Sequence, residues 1–181
     1  MGFAFRFAMG LVFVWSQVYG QTDDLTLKSK VGKDLMAAGK FEEAMPVYRE
    51  LVKALPDNPG PVMNLGMALH MAGHEREAVK EFQEVLKLEP AHMPAHLFLG
   101  AAYLVLKEPS KAVEPLQIVV RGQPDNSEAR LLLDEGLLAV RSRESKGLEW
   151  AWSELRRTGE PKLRRSGETC AGIRLLARFS G

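Results

Sequence analysis

The chain has 181 residues, 46% of them hydrophobic and 26% charged, with a formal net charge of +1 at pH 7. That length suits one domain, and the composition is that of an ordinary globular protein, which excludes a polyelectrolyte and carries no overall signature of nucleic-acid binding. Charge is unevenly spread, because residues 21–140 sum to about −5 whereas the stretch from Arg141 onward sums to about +5.

Residues 1–20 hold one basic residue, Arg6, an apolar run from Phe7 to Trp15, and small residues at Ser16 and Gly20. This is the order of an export signal, with cleavage expected after Gly20 or, as a second possibility, after Ser16. Cleavage after Gly20 leaves the polar start Gln21-Thr22-Asp23-Asp24. The run is shorter than the roughly 20 residues a membrane span requires, so no stable span is expected in the mature chain. The expected location is periplasmic or extracellular, with anchoring through an uncleaved N-terminal segment as the alternative. No cysteine follows the apolar run, so the lipoprotein route is not supported.

From residue 25 a period of 34 sets in. Gly32, Ala44 and Pro56 are followed at that interval by Gly66, Ala78 and Pro90 and then by Gly100, Ala112 and Pro124, each triplet spaced by twelve. A repeat of this length signals a helical array. The glycine and the alanine remove bulk where two antiparallel helices cross, so their backbones can approach closely. The proline stops the second helix and turns the chain toward the next unit. Asp57-Asn58 and Asp125-Asn126 then supply turn and N-cap side chains. Large residues keep the same register: Val31, Leu65 and Leu99 precede the glycines, Leu35, Leu69 and Tyr103 follow three later, and Tyr48, Phe82 and Leu116 lie four after the alanines.

These residues resemble the tetratricopeptide repeat pattern, Trp-x2-Leu-Gly-x2-Tyr, then Ala-x3-Phe, then Pro. The likeness covers residue 25 to about 140, and the family's tryptophan is replaced by Lys28, Val62 and His96. The resemblance implies an all-α, right-handed superhelical solenoid of three helix-turn-helix repeats, about 25–58, 59–92 and 93–126, within a repeat domain over 21–140. It also implies a binding scaffold, whose ligand must be read from groove residues.

In the first repeat, Lys28, Ser29, Lys30 and Lys33 read foremost as a solvated face. In the part of the family that clamps a partner's C-terminal carboxylate, the matching positions here hold Ser29, Lys33, Asn64, Pro94 and Phe98. Only Asn64 fits, so that activity is not expected. In the second repeat, the helix from Arg76 to Leu88 is amphipathic and outer, with Glu81 on its exposed face. Val62 to Ala72 is apolar nearly all round apart from Asn64 and His70, as befits a helix buried on several sides. Met63, Met67 and Met71 lie about 100° from its packing stripe, and the resemblance points them into the concave groove. The pairs His70/His74 and His92/His96 suggest a metal by spacing alone. In a stack of parallel first helices they fall at opposite ends, so no metal is expected and each histidine reads as a surface or capping residue.

The third repeat continues the apolar wall through Leu97, Phe98, Ala101, Leu104 and Val105, with its turn at Lys107-Glu108-Pro109. A partial fourth unit starts at Ser127, where Asp134 replaces the glycine and Lys146 the alanine. A separate capping helix is expected over 141–157, starting near Ser145 and striped by Leu148, Ala151, Trp152 and Leu155. Residues 158–181 read as a basic, disordered tail, with contact between its arginines and an anionic surface as the sharper alternative. Cys170 is the single cysteine, so no intrachain disulfide can form. No phosphate loop, dinucleotide fingerprint, HExxH or G-x-S-x-G element occurs, and no histidine follows His96 to activate Cys170.

The sequence therefore points to a scaffold with no enzymatic activity, no cofactor and no nucleic-acid ligand, binding a protein, as a peptide or a partner helix, in a concave groove. The groove residues are Lys33, Met63, Asn64, Met67, His70 and Met71, facing Leu97, Ala101, Leu104 and Val105. An assembly or chaperone factor for envelope or secreted proteins, or a regulatory fragment of a larger enzyme, is the alternative. If the export reading is right, intact-mass measurement of the protein from its native host shows the loss of the first 16 to 20 residues. A soluble product retaining Met1 contradicts it.

Overall fold

The computed structural model describes residues 24–158. The expected export signal and the basic tail with Cys170 lie outside the described residues. Within them the chain is a succession of antiparallel helices: α1 (residues 24–37), α2 (Phe41–Ala54), α3 (Pro59–Met71), α4 (Glu75–Leu88), α5 (Met93–Val105), α6 (Pro109–Gly122) and α7 (Ser127–Thr158). Helices adjacent in sequence pack on one another, and α3 also touches α5, as α5 touches α7. This is an all-α solenoid.

Local chemistry sets the helix ends at the repeat interval. The inner helices α3, α5 and α7 are each entered through a side-chain cap: Asn58 Oδ1 accepts from Gly60 N at 2.9 Å, His92 Nδ1 from Ala95 N at 3.1 Å, and Asn126 Oδ1 from Ala129 N at 3.0 Å. Pro59 at the start of α3 and Pro94 in the first turn of α5 give up N–H groups that have no helical partner there. The inner-to-outer turns need a left-handed residue, supplied by Gly39 (φ 72°), Gly73 (φ 83°) and Lys107 (φ 61°). Lys107 carries a side chain in a conformation glycine adopts freely.

The glycines prove to make room for a side chain, not for the alanine's backbone. A Cβ on Gly66 would stand 2.6 Å from Phe82 Cε1, one on Gly32 would stand 2.9 Å from Tyr48 Cζ, and one on Gly100 would stand 2.5 Å from Leu116 Cγ. Tyr48, Phe82 and Leu116 are accordingly buried, as are Ala44, Ala78 and Ala112 one helical turn before them. Burial also raises the pKa of the Tyr48 phenol. Most of the core runs from Ala44 to Ala102, and a smaller cluster around Leu104, Ala112 and Leu116 reaches Leu132 and Leu133 of α7.

Two expectations are corrected. The partial fourth unit and the capping helix are one continuous helix of 32 residues. Ser145 lies within it, its hydroxyl donating to Ser142 O at 3.0 Å, and does not cap a new helix. The reason is visible in register: Asp134 and Lys146 replace the glycine and alanine at which the earlier hairpins close, and Arg141 does not take the left-handed conformation of Gly39, Gly73 and Lys107. Glu81 is also not fully exposed. It is half-buried on α4, and burial pushes its carboxyl above the ordinary glutamate value, with Glu84 and Glu77 adding to the rise and Arg49 and Lys80 opposing it.

Gly66→Ala should destabilise by about 1–3 kcal/mol, because Phe82 must move to admit the methyl. Gly147 of α7 has no neighbour within 4 Å of an added Cβ, so Gly147→Ala should stabilise by about 0.5–1 kcal/mol. Denaturant midpoints of the two variants, moving in opposite directions, check the assignment. Glu81 binds a proton more tightly folded than unfolded, so native stability falls as pH rises through the interval above the ordinary glutamate value. Glu81→Gln should raise the melting temperature at pH 7.5, and the gain should vanish by pH 3.5, where both states hold the proton.

Candidate functional site

Because the repeat has no insertions, residues 34 apart occupy equivalent places on successive inner helices. Lys33, Met67 and Ala101 form one such row, Lys30, Asn64 and Phe98 another, and Met71 and Val105 a third. The rows cross the inner face of α1, α3 and α5. Lys33, Met71 and Val105 are exposed on it, while Asn64, Met67, His70 and Ala101 are half-buried, and Leu97, one repeat after Met63, packs against the cluster around Leu104. Met63 and Leu104 do not belong to this surface. At 6% and 9% exposure they are core, because the helix of the following unit packs over them.

A cleft opens between the first two repeats. With a volume of about 540 Å³, it is walled by Ser29, Lys30 and Lys33 of α1 and by Gly60, Pro61 and Asn64 of α3, with Tyr48, Leu51 and Leu55 as its apolar floor. Neither Lys30 nor Lys33 has an ion-pair partner among the described residues. Lys28 on the same helix differs. It bridges Asp24 at 3.1 Å and Glu50 at 3.0 Å, and hydrogen bonding to Glu50 foremost, then to Asp24, raises its pKa. The cleft thus holds two uncompensated cations above an apolar base. Of its lining, the sequence points only to Lys33 and Asn64 as groove residues. Lys30 reads as part of a solvated face, and the signal for it is that it lies one repeat before Asn64.

The histidines are occupied elsewhere. His70 Nδ1–H donates to Glu75 Oε2 at 2.7 Å, and the His70 ring meets Phe98 edge-on at 5.8 Å. Phe98 in turn stacks on Phe82 at 5.7 Å, so an aromatic side chain occupies the point where a carboxylate clamp would place a cation. His74 Nε2 lies 3.0 Å from Glu42 Oε1 and links α4 to α2. His96 departs from the expected surface or capping role. It is buried in the place of the motif's tryptophan, its Nε2 lies 2.9 Å from Pro90 O, and its Nδ1 has no hydrogen-bond partner. No three His, Cys, Asp or Glu side chains among the described residues converge as a metal site.

Two tetratricopeptide repeat models match the chain, one over residues 31–74 and one over residues 69–135. The chain belongs to the tetratricopeptide repeat family. No curated protein matches it closely enough to count as a relative. Among solved structures it is similar to the first such domain of Spaghetti (RPAP3) bound to the HSP90 peptide SRMEEVD, with 23% identity, a TM-score of 0.62, and coverage of 65% of this chain and 93% of that one. MamA from Desulfovibrio magneticus RS-1 is similar at 27% identity and a TM-score of 0.63, covering 75% of this chain and 76% of that one. The TPR2B domain of yeast Sti1, solved as a pHsp70 complex, gives 20% identity and a TM-score of 0.57, covering 65% of this chain and 97% of that one. In the tetratricopeptide repeats of this chain, α1, α3 and α5 are the first, inner helices of successive units.

Proposed function

We propose that this chain is a non-catalytic scaffold that binds a segment of another protein, an extended peptide or a partner helix, along the inner face of α1, α3 and α5. The observation that carries the reading is the cleft between α1 and α3, where Lys30 and Lys33 stand unpaired over Tyr48, Leu51 and Leu55. A ligand carboxylate placed there meets two cations near a low-dielectric floor, where the attraction is weakened less by water than on an open surface. Apolar ligand side chains then find Met67, Met71 and Val105 along the groove. Methionine suits this role, since its unbranched chain adapts to varied shapes. The structural neighbours solved with an HSP90 peptide and as a pHsp70 complex add support, because they use the same architecture. The expected partner is therefore a segment combining acidic and apolar residues. Given the export order of residues 1–20, it would be a secreted or envelope protein.

The test uses fluorescence anisotropy with two labelled peptides of the same apolar residues, one carrying glutamates and the other lysines. The acidic peptide should bind more tightly, and Lys30→Glu with Lys33→Glu should weaken it at least tenfold while leaving the unfolding midpoint unchanged, as both lysines are exposed. Met67→Asp should weaken both peptides. Equal binding of the acidic peptide to the double-lysine variant and the parent removes the cleft from the reading.

A further inference from the structure

The strongest unexplained surface lies on α7. Ala129, Leu133 and Gly136 face the third repeat, and on the opposite side Leu131 and Leu138 are 70% and 64% exposed. Leu131 and Leu138 lie one repeat beyond Leu97 and Leu104, which α7 itself helps to cover. They are the residues that a further inner helix would bury. The same stripe runs on through Ser145 to Trp152 at intervals of seven, with Leu148 beside it, and Leu148 and Trp152 are exposed as well. Three of these four positions, Leu131, Leu138 and Trp152, are apolar, and seven residues is the spacing at which one helix packs along another.

We propose that α7 is a homodimerisation surface, on which α7 of a second copy lies antiparallel about a two-fold axis near Arg141 and Ser142. Self-complementarity argues for a second copy. With the axis there, Leu131 of each copy meets Trp152 of the other, and Leu138 meets Ser145, so each end of the stripe is covered by the opposite end. Charge agrees. Residues 127–140 carry Glu128, Asp134 and Glu135 against Arg130, while residues 141–158 carry Arg141, Lys146, Arg156 and Arg157 against Glu144, Glu149 and Glu154, with Arg143 turned back onto Lys107 O. An antiparallel pair sets the acidic half beside the basic half, whereas a parallel pair sets like beside like. The contact is isologous and closes on itself, so the assembly stops at two.

Sedimentation velocity on the full chain, from low micromolar to hundreds of micromolar, should show a dimer. Leu131→Glu and Trp152→Glu should each return it to monomer with unchanged helicity and unfolding midpoint, since both positions are exposed. In a Cys170→Ser background, Ser142→Cys should form an intermolecular disulfide under mild oxidation. Ser127→Cys should not, because its two copies would stand about 43 Å apart at 1.5 Å per residue. A monomer throughout the range, a dimer indifferent to both glutamate variants, or cross-linking through Ser127→Cys in preference to Ser142→Cys would each overturn the proposal. So would a monomer in which Leu131→Glu alone unfolds the chain, since that would make the stripe part of the core.

Discussion

The solenoid depends on one recurring contact, a large side chain on each outer helix seated in the space left by a glycine on the inner helix. Gly32 with Tyr48, Gly66 with Phe82 and Gly100 with Leu116 are the same contact made three times, and in each the added methyl of an alanine would collide with the ring or branch. Interiors at crystal-like density have no slack to absorb such a group. Closing each hairpin this way fixes the two helices at short range and leaves the following unit to cover what remains of the inner helix. That is why Met63 and Leu104 are core, although their counterparts by helical position would line a groove in an isolated unit.

The concave face follows from the same arrangement. Since outer helices take the bulky crossing residues, the inner helices present what is left: lysines on α1, an asparagine and methionines on α3, small and branched residues on α5. The face is therefore graded, cationic at one end and apolar toward the other. Its aromatic middle is tied down, as Phe98 is held between Phe82 and the His70–Glu75 pair. Under the proposed function, a face charged at one end would favour one direction for a ligand, because only that end rewards a carboxylate.

Where the crossing contact is lost, so is the hairpin. Trp150 stands at the position of Tyr48, Phe82 and Leu116 one repeat further on, yet no glycine receives it, and no left-handed residue occurs at Arg141 to turn the chain. Helix propagation then meets no obstacle from Ser127 to Thr158. Arg143 Nη2 donates to Lys107 O at 2.8 Å, tying the long helix to the last turn of the array.

The 34-residue register of glycine, alanine and proline was legible in the sequence because each acts through local rules: backbone freedom, close approach and a missing N–H. Those rules delimited the helices, their caps at Asn58 and Asn126, and their order as a solenoid. The placement of Lys33, Asn64, Met67, Met71 and Val105 on the inner helices was legible as well. Burial was not. Whether Met63, Leu104, His96 or Glu81 meets water depends on how much the neighbouring unit covers, a distance between helices that no residue states on its own. The cleft beside Lys30 likewise exists only where α1 and α3 meet over Leu51 and Leu55. The sequence by itself determined the repeat and its helices, since these rest on interactions within a few turns of chain. The tertiary structure alone decided which of their side chains are surface, because exposure is set by contacts between units.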